Sequence, residues 1–272
     1  MGQPVILGAS VPGGDIAQPR RGTLHDGTPV FVKSGVGLPA GMLPAEARGL
    51  DALRQGGCRV PQVLGVSQGW LVLEWIERGA VTAQSQSALG RGLAAQHQVR
   101  REVCGFEIDN FIGRTPQDNT QIDDWVGFFA EHRLGAMQRM LREAGKLSVA
   151  DDEALDGLRA QLSRWLTLPE ESHVLLHGDL WGGNAMADSQ GAPVLFDPAV
   201  YFGCREADLA MTRLFGGFSA AFYGAYEEVL PLSDGFDDRV DLYNLYHLLN
   251  HALMFGGGYL SQSMAVVERY VG

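Results

Sequence analysis

The stretch that decides the fold is His173-Val-Leu-Leu-His-Gly-Asp-Leu-Trp-Gly-Gly-Asn184, followed by the apolar run Pro193–Phe196 and Asp197. The sequence on both sides has helical periodicity. This stretch instead combines a short apolar run, a glycine-rich segment, a turn over 188–192 and a second apolar run. We therefore predict a loop and a β-hairpin inserted into a mainly helical region.

The spacing within this stretch is that of a protein-kinase catalytic loop, His-x-Asp followed five residues later by Asn. Asp179 could orient an acceptor hydroxyl and take its proton, while the amide oxygen of Asn184 could reach a nucleotide-bound Mg²⁺. Asp197 stands where the template has its second metal ligand, but Pro-Ala follows it instead of Phe-Gly, which argues against a protein kinase with an activation loop. For the loop alone, the alternative is a chance Asp and Asn in a turn, since both residue types favour turns.

A second pair of residues fits the same template upstream. Strand alternation in Pro29–Lys33 puts Phe31 and Lys33 on one face. Glu46 lies on the apolar stripe of a predicted helix, Leu43–Gln55, where an unpaired carboxylate would be costly. Pairing with Lys33 would remove that cost, and the alternative is a solvated Glu46 at the edge of the stripe.

Two further nucleotide contacts have weaker signals. The backbone N–H groups around Gly13 and Gly14 could bind phosphate, although paired glycines also occur in plain turns. In the run that ends the β-rich part, the carbonyl of Glu74 and the N–H of Ile76, on either side of Trp75, are the candidates for adenine contacts. An ordinary core strand is equally compatible with that run.

The chain changes character near residue 78 and is predicted to have two parts. Short β-like runs precede that point, at Pro4–Leu7, Pro29–Lys33, Gln62–Ser67 and Trp70–Ile76. Helices are predicted after it, at Thr82–Gln98, Asp123–Glu143, Asp151–Leu166, Glu206–Phe215, near Phe218–Leu230, and at Asp238–Phe255. We predict an α+β, bilobal, protein-kinase-like fold with a nucleotide-binding lobe at 1–76 and a helical catalytic lobe at 77–272.

Composition narrows the classes of partner. The 272 residues include 21 Lys+Arg and 32 Asp+Glu, a net charge of −11, which argues against nucleic-acid and anionic-membrane binding. The 3 cysteines are widely spaced and contain no Cys-x-x-Cys pair, so a zinc site is not expected and a reducing cytoplasm fits best. No secretory signal is expected, and no apolar run approaches the roughly 18 residues that span a membrane.

The chain resembles the fructosamine kinases (ketosamine-3-kinase-like proteins), within the aminoglycoside-phosphotransferase and protein-kinase-like group. The most specific stretch is LLHGDLWGGN…PVLFDPAVYFGCREADLAMTRLFGGF, from Leu175 to Phe218, with support from Gly105–Gly113, Asp124–Arg133 and Leu245–Leu260. The resemblance implies ATP-dependent, Mg²⁺-assisted phosphorylation of the sugar O3 of ketosamines. These ketosamines would be small molecules or sugars carried on protein lysines.

The resemblance also implies roles for individual residues. Asp179 would be the base, and Asn184 and Asp197 would be the two Mg²⁺ ligands. Lys33 and Glu46 would be the pair that anchors the phosphates. Asp208 would brace the catalytic loop. Trp181, Asn250 and His251 are candidates for the acceptor site, although core packing would explain each of them equally well. A kinase for another hydroxyl compound, such as an aminoglycoside or a choline-like alcohol, stays open. A nucleotide-binding pseudokinase is disfavoured because the whole catalytic set is present.

Overall fold

The first part of the chain forms a five-stranded antiparallel sheet. The computed structural model describes residues 4–11, 18–166 and 172–271, so the predicted phosphate-binding Gly13 and Gly14 lie outside the described residues. The strands are β1 (Val5–Ser10), β2 (Gln18–Leu24), β3 (Pro29–Ser34), β4 (Val63–Val66) and β5 (Trp70–Glu74), in the order β1-β2-β3-β5-β4. The four predicted strands are present with shifted ends, and β2 was not predicted.

The two faces of β3 have the predicted division. Val30 and Val32 pack with Val72 in a small cluster on the outer face of the sheet. Phe31 packs against the main core on the inner face. Helix α1 (Met42–Gln55) covers that inner face, and its apolar stripe is fully buried through Leu43, Leu50 and Leu53.

The rest of the chain is mainly helical. The helices are α2 (Ala83–Gln96), α3 (Trp125–Phe128), α4 (Ala136–Glu143), α5 (Val149–Arg159), α6 (Arg205–Leu214), α7 (Ala220–Glu227), α8 (Phe236–Phe255) and α9 (Tyr259–Val271). A π-helical segment, Phe129–Gly135, joins α3 to α4, so the helix predicted at Asp123–Glu143 is not α-helical throughout. The helix predicted at Asp151–Leu166 ends at Arg159, and α9 was not predicted.

Among the described residues, three short strand pairs interrupt the helices. They are β6 (Asn110–Ile112) with β7 (Thr115–Gln117), β8 (Val174–Leu176) with β11 (Tyr201–Gly203), and β9 (Ala185–Ala187) with β10 (Pro193–Leu195). The pair β9–β10 confirms the predicted hairpin. The catalytic-loop stretch therefore leaves β8 and enters this hairpin, while β11 returns beside β8.

One hydrophobic core runs through both parts of the chain. Helix α1 contributes to the same cluster of buried residues as β8, β11 and α8. Contact is close at Gly49, where an added Cβ would lie 3.1 Å from Pro198 and 3.4 Å from Val200. A larger residue at 49 would push the helix away from the segment that follows Asp197. In the part of the chain that the structure describes, no helix is both long and apolar enough to cross a bilayer.

Candidate active site

The loop between β8 and β9 brings Asp179 and Asn184 together. Asn184 ends a 3₁₀ turn, Gly182–Asn184, and is buried. Its Nδ2 donates to the backbone oxygen of Asp179 at 2.8 Å and to Asp179 Oδ2 at 3.0 Å. The five-residue spacing thus lets the Asn184 amide fix the orientation of the Asp179 carboxylate.

The Asp179 carboxyl is set to change its protonation state near neutral pH. Burial, together with the charges of Asp197 and Asp208, raises its pKa from 3.8 to about 7, against the opposing hydrogen bond from Asn184. The residue keeps partial access to solvent. A base with a pKa near the working pH that can still be reached by a substrate is well suited to proton transfer.

The backbone just before Asp179 is held by Asp208 on α6. Asp208 Oδ2 accepts the His177 N–H at 2.7 Å, and Oδ1 accepts the Gly178 N–H at 2.9 Å. Gly178 has φ +82°, and an added Cβ would lie 2.0 Å from the Ala199 oxygen, so only glycine fits there. The structure therefore has the brace that the resemblance implied for Asp208.

His97 completes this brace, and the sequence analysis did not identify it. It follows α2, is fully buried, and its Nε2 lies 3.2 Å from Asp208 Oδ2. Its Nδ1 lies 2.8 Å from the Tyr226 hydroxyl. Burial raises the pKa of Asp208, but the hydrogen bond and charge of His97, with the backbone donors, lower it below its ordinary value. Asp208 is thus held as a carboxylate.

Lys33 on β3 contacts two carboxylates. Its Nζ lies 2.8 Å from Glu46 Oε1, which is the predicted pair, and it also donates to Asp197 Oδ1. Although burial lowers the pKa of Lys33, the carboxylates of Asp197 and Glu46 raise it above its ordinary value. The ammonium therefore stays charged at the bottom of the site.

Asp197 has an unusual backbone conformation. Its φ is +55°, in the left-handed region that costs a non-glycine residue about 1 kcal/mol or more. The backbone of the preceding residue, Phe196, has two polar contacts. Its oxygen lies 3.0 Å from His177 Nε2, and its N–H donates to the backbone oxygen of Asn184 at 3.1 Å. This geometry turns the Asp197 carboxylate toward Lys33.

The oxygen donors fit a magnesium ion that arrives with a nucleotide. Asn184 uses its Nδ2 for the contacts with Asp179 and for a longer contact, 3.5 Å, with the backbone oxygen of Asp197. Its Oδ1 accepts no hydrogen bond from the described residues. Residues 4–11, 18–166 and 172–271 contain no group of three or more His, Cys, Asp or Glu side chains able to hold a metal. One carboxylate and one amide, completed by phosphate oxygens and water, are typical of Mg²⁺ that is bound together with a nucleotide.

The candidate adenine-binding segment has its side chains engaged elsewhere. Glu74 accepts two hydrogen bonds from Arg59, at 2.9 and 2.7 Å. Trp75 Nε1 donates to Glu77 at 2.7 Å. Within the described residues the Ile76 N–H makes no hydrogen bond. Any contact with a base at this position is therefore left to the backbone.

On the acceptor side, Trp181 and His251 belong to one row of rings. Trp181 is 39% exposed and meets Phe215 edge-on with centroids 6.2 Å apart, and Phe215 lies 5.0 Å from His251. Asn250 does not belong to this surface. It is 1% exposed and accepts a 2.6 Å hydrogen bond from Thr115 Oγ1, a contact between α8 and β7, so its role at the acceptor site stays a prediction.

The fold and the set of side chains on it define a phosphotransferase of the protein-kinase-like class. The solved structure of a choline kinase from Streptococcus pneumoniae has the same fold, with a TM-score of 0.64 at 13% identity over 98% of this chain and 94% of that one. Within this class the chain belongs to the fructosamine kinase family, whose model matches residues 5–272. It is therefore an ATP-dependent kinase.

Two relatives show how closely the chain follows the family. A probable ketoamine kinase of Synechocystis is 43% identical over 246 residues, which cover 88% of this chain and 82% of that protein. The crystal structure of a candidate fructosamine-3-kinase from Thermobifida fusca has a TM-score of 0.85 at 35% identity, over 96% of this chain and 94% of that one. The second similarity covers nearly the whole of both chains.

Proposed function

We propose that this protein transfers the γ-phosphoryl group of ATP to the O3 hydroxyl of ketosamines such as fructosamines or ribulosamines. The observation that carries the proposal is the Asp179 carboxyl, fixed by Asn184 and accessible, with a pKa raised to about 7. The relatives support the acceptor class, since one is named a probable ketoamine kinase and the other a candidate fructosamine-3-kinase.

In the proposed reaction Asp179 acts as the base. Its carboxylate accepts the proton of the O3 hydroxyl as the O3–phosphorus bond forms and the bond from the γ-phosphorus to the bridging oxygen breaks. The products are the 3-phosphorylated ketosamine and ADP, and the proton leaves Asp179 for solvent. Lys33, oriented by Glu46, offsets the negative charge of the α- and β-phosphates.

Asn184 Oδ1 and Asp197 are the side chains that would hold Mg²⁺, which when bound neutralises and aligns the phosphates. The contact of Lys33 with Asp197 keeps the carboxylate beside the place assigned to the phosphates. The adenine would lie against the backbone from Glu74 to Ile76. Contacts of the phosphates with Gly13 and Gly14, and the division into lobes at 1–76 and 77–272, rest on the sequence pattern.

The exposed ring of Trp181, with Phe215 and His251 behind it, is proposed as the wall of the acceptor site. The amine of a ketosamine is largely protonated at neutral pH, and an aromatic face attracts such a cation. The net charge of −11 does not oppose its approach. Trp181 and Phe215 are 39% and 40% exposed, so sugars on protein lysines are a second class of acceptor to test.

The test is an ADP-release assay on a panel of acceptors, with the phosphorylated position assigned by NMR. The panel contains a fructose-derived amine, a ribulose-derived amine, a glycated lysine peptide, kanamycin and choline. We expect kcat/KM for a ketosamine to exceed that for kanamycin or choline by about tenfold or more. Equal turnover of kanamycin or choline would overturn the acceptor class, and a lack of ADP release with every acceptor on the panel would overturn the proposed function.

A further inference from the structure

Hairpin β6–β7 carries a polar pair that the proposed reaction does not use. Asn110 and Gln117 face each other across the hairpin and are 4% and 1% exposed. Asn110 lies within the Gly105–Gly113 stretch, which supported the family resemblance without any chemical reason. Most buried polar groups have hydrogen-bond partners, and the partners of these two amides show what they hold in place.

Both amides donate to backbone oxygens of one short segment. Asn110 Nδ2 donates to the Val200 oxygen at 2.8 Å, and Gln117 Nε2 donates to the Ala199 oxygen at 3.0 Å. The two side chains are also joined, because Gln117 Nε2 donates to Asn110 Oδ1 at 2.7 Å. The Tyr246 hydroxyl donates to Gln117 Oε1 at 2.8 Å and fixes the orientation of that amide.

The segment they hold connects the two halves of the site. Ala199 and Val200 follow Asp197 by two and three residues, and Asp197 needs a left-handed backbone to point at Lys33. The Ala199 N–H donates to the His177 oxygen at 2.9 Å, next to the catalytic loop. A shift of this segment would therefore move the Asp197 carboxylate and the loop that carries Asp179 relative to each other.

We propose that Asn110 and Gln117 form an amide clamp and are positioning residues for the metal ligand Asp197. The proposal rests on the proposed function, in which Asp197 binds Mg²⁺. The clamp gives the β6–β7 hairpin a defined role, because its two amides fix the backbone conformation that presents the Asp197 carboxylate. Mutation of a residue that orients a metal ligand without touching the metal commonly lowers metal affinity by about 10- to 100-fold.

The test uses Asn110→Asp and Gln117→Glu, which keep side-chain size and remove the donated hydrogen bonds. Two Mg²⁺ titrations are run on the full chain, one of the phosphorylation rate and one of the binding of a non-hydrolysable ATP analogue. We expect the Mg²⁺ concentration at half-saturation to rise by about tenfold in both titrations. The binding titration needs no acceptor, so it separates failure of the clamp from failure of the proposed function.

Asn244→Asp is the matched control. Asn244 is also a buried amide, and its Nδ2 donates to a backbone oxygen, that of Ala210 on α6, at 2.9 Å. This variant should lower the unfolding temperature and leave Mg²⁺ half-saturation within about twofold of the wild type, because its bond does not reach the Asp197 segment. An equal rise in Asn244→Asp, or unchanged Mg²⁺ curves in the clamp variants, would overturn the proposal.

A milder variant keeps the test decisive if the amide variants do not fold. Tyr246→Phe removes only the hydroxyl that orients Gln117. Loss of one such hydrogen bond should raise Mg²⁺ half-saturation by about twofold or more. A curve that matches the wild type would count against the clamp.

Discussion

Replacing Asp179 by Asn should slow the enzyme and stabilise its fold in the same step. The amide keeps the shape of the side chain and can still accept the hydrogen bond from Asn184, but it cannot take a proton. In the wild type the folded-state pKa is about 7, above the ordinary 3.8, because burial and neighbouring carboxylates disfavour the charge. The wild type therefore loses stability as pH rises from about 4 through 7, and the Asn variant does not.

The size of the gain follows from the two pKa values. A difference from 3.8 to about 7 corresponds to about 4 kcal/mol of folding free energy at pH 8, at about 1.4 kcal/mol per pH unit. Partial access of the carboxyl to water reduces this, so we expect about 2–4 kcal/mol at pH 8 and about 1–2 kcal/mol at pH 5. For a chain of this length, 2–4 kcal/mol raises the unfolding temperature by roughly 4–7 °C.

Unfolding by urea at pH 5 and pH 8 measures the gain in the free energy of unfolding of Asp179→Asn. A turnover assay measures the fall in its rate, which should be about 10²–10⁴-fold. Asp208→Asn is the contrasting variant, since its carboxylate accepts two backbone N–H groups and its pKa is lowered. That variant should be less stable than the wild type at pH 8 by about 2–4 kcal/mol. The reasoning is refuted if Asp179→Asn gains no more stability at pH 8 than at pH 5, or keeps more than half of the wild-type rate.

Three further predictions concern the same site. The logarithm of kcat/KM should rise with pH and level off above about 7, because Asp179 must be ionised to act as base; a profile that is flat between pH 5.5 and 8 would exclude it. Lys33→Met and Glu46→Gln should each slow turnover, and the double variant should lose much less than the sum of the two free-energy changes because the residues are in contact; strict additivity would contradict this. Trp181→Ala should raise KM for a ketosamine by about tenfold and leave KM for ATP nearly unchanged. Trp165→Ala, which removes an exposed tryptophan packed on another ring, should change neither KM, and an equal effect of the two variants would remove Trp181 from the acceptor site.

Those parts of the site that obey local rules were predictable from the sequence. Strand alternation placed Lys33 on the inner face, and a carboxylate on an apolar stripe indicated the pair with Glu46, which the structure has at 2.8 Å. The contact of Lys33 with Asp197 had no such signal, because the two residues are 164 positions apart and meet only in the folded chain. Strand β2 was missed because its sequence, QPRRGTL, has no apolar alternation and gains its stability from pairing with both neighbours.

Buried polar residues are where the sequence was least informative. Patterns of hydrophobicity identify apolar positions facing the core, but they do not distinguish a polar side chain aimed inward from one in water. The pattern therefore gave no sign that His97, Asn110 and Gln117 lie inside the core and support the site from there. Asn250 is likewise buried and hydrogen-bonded to Thr115, a contact that its place beside His251 on one helix did not indicate.

The packing of α1 against the segment after Asp197 also has a consequence for the chain during its synthesis. Helix α1 is nearly complete at Leu53, while part of its cover, Leu175 beside Gly56 and Val200 beside Gly49, follows more than 120 residues later. At about 5–20 residues per second, a ribosome needs roughly 6–25 s to make that interval. Through that time the side of α1 that carries Gly49 and Gly56 lacks this part of its cover, so a face that is buried in the finished protein stays open to solvent until the catalytic loop has been made.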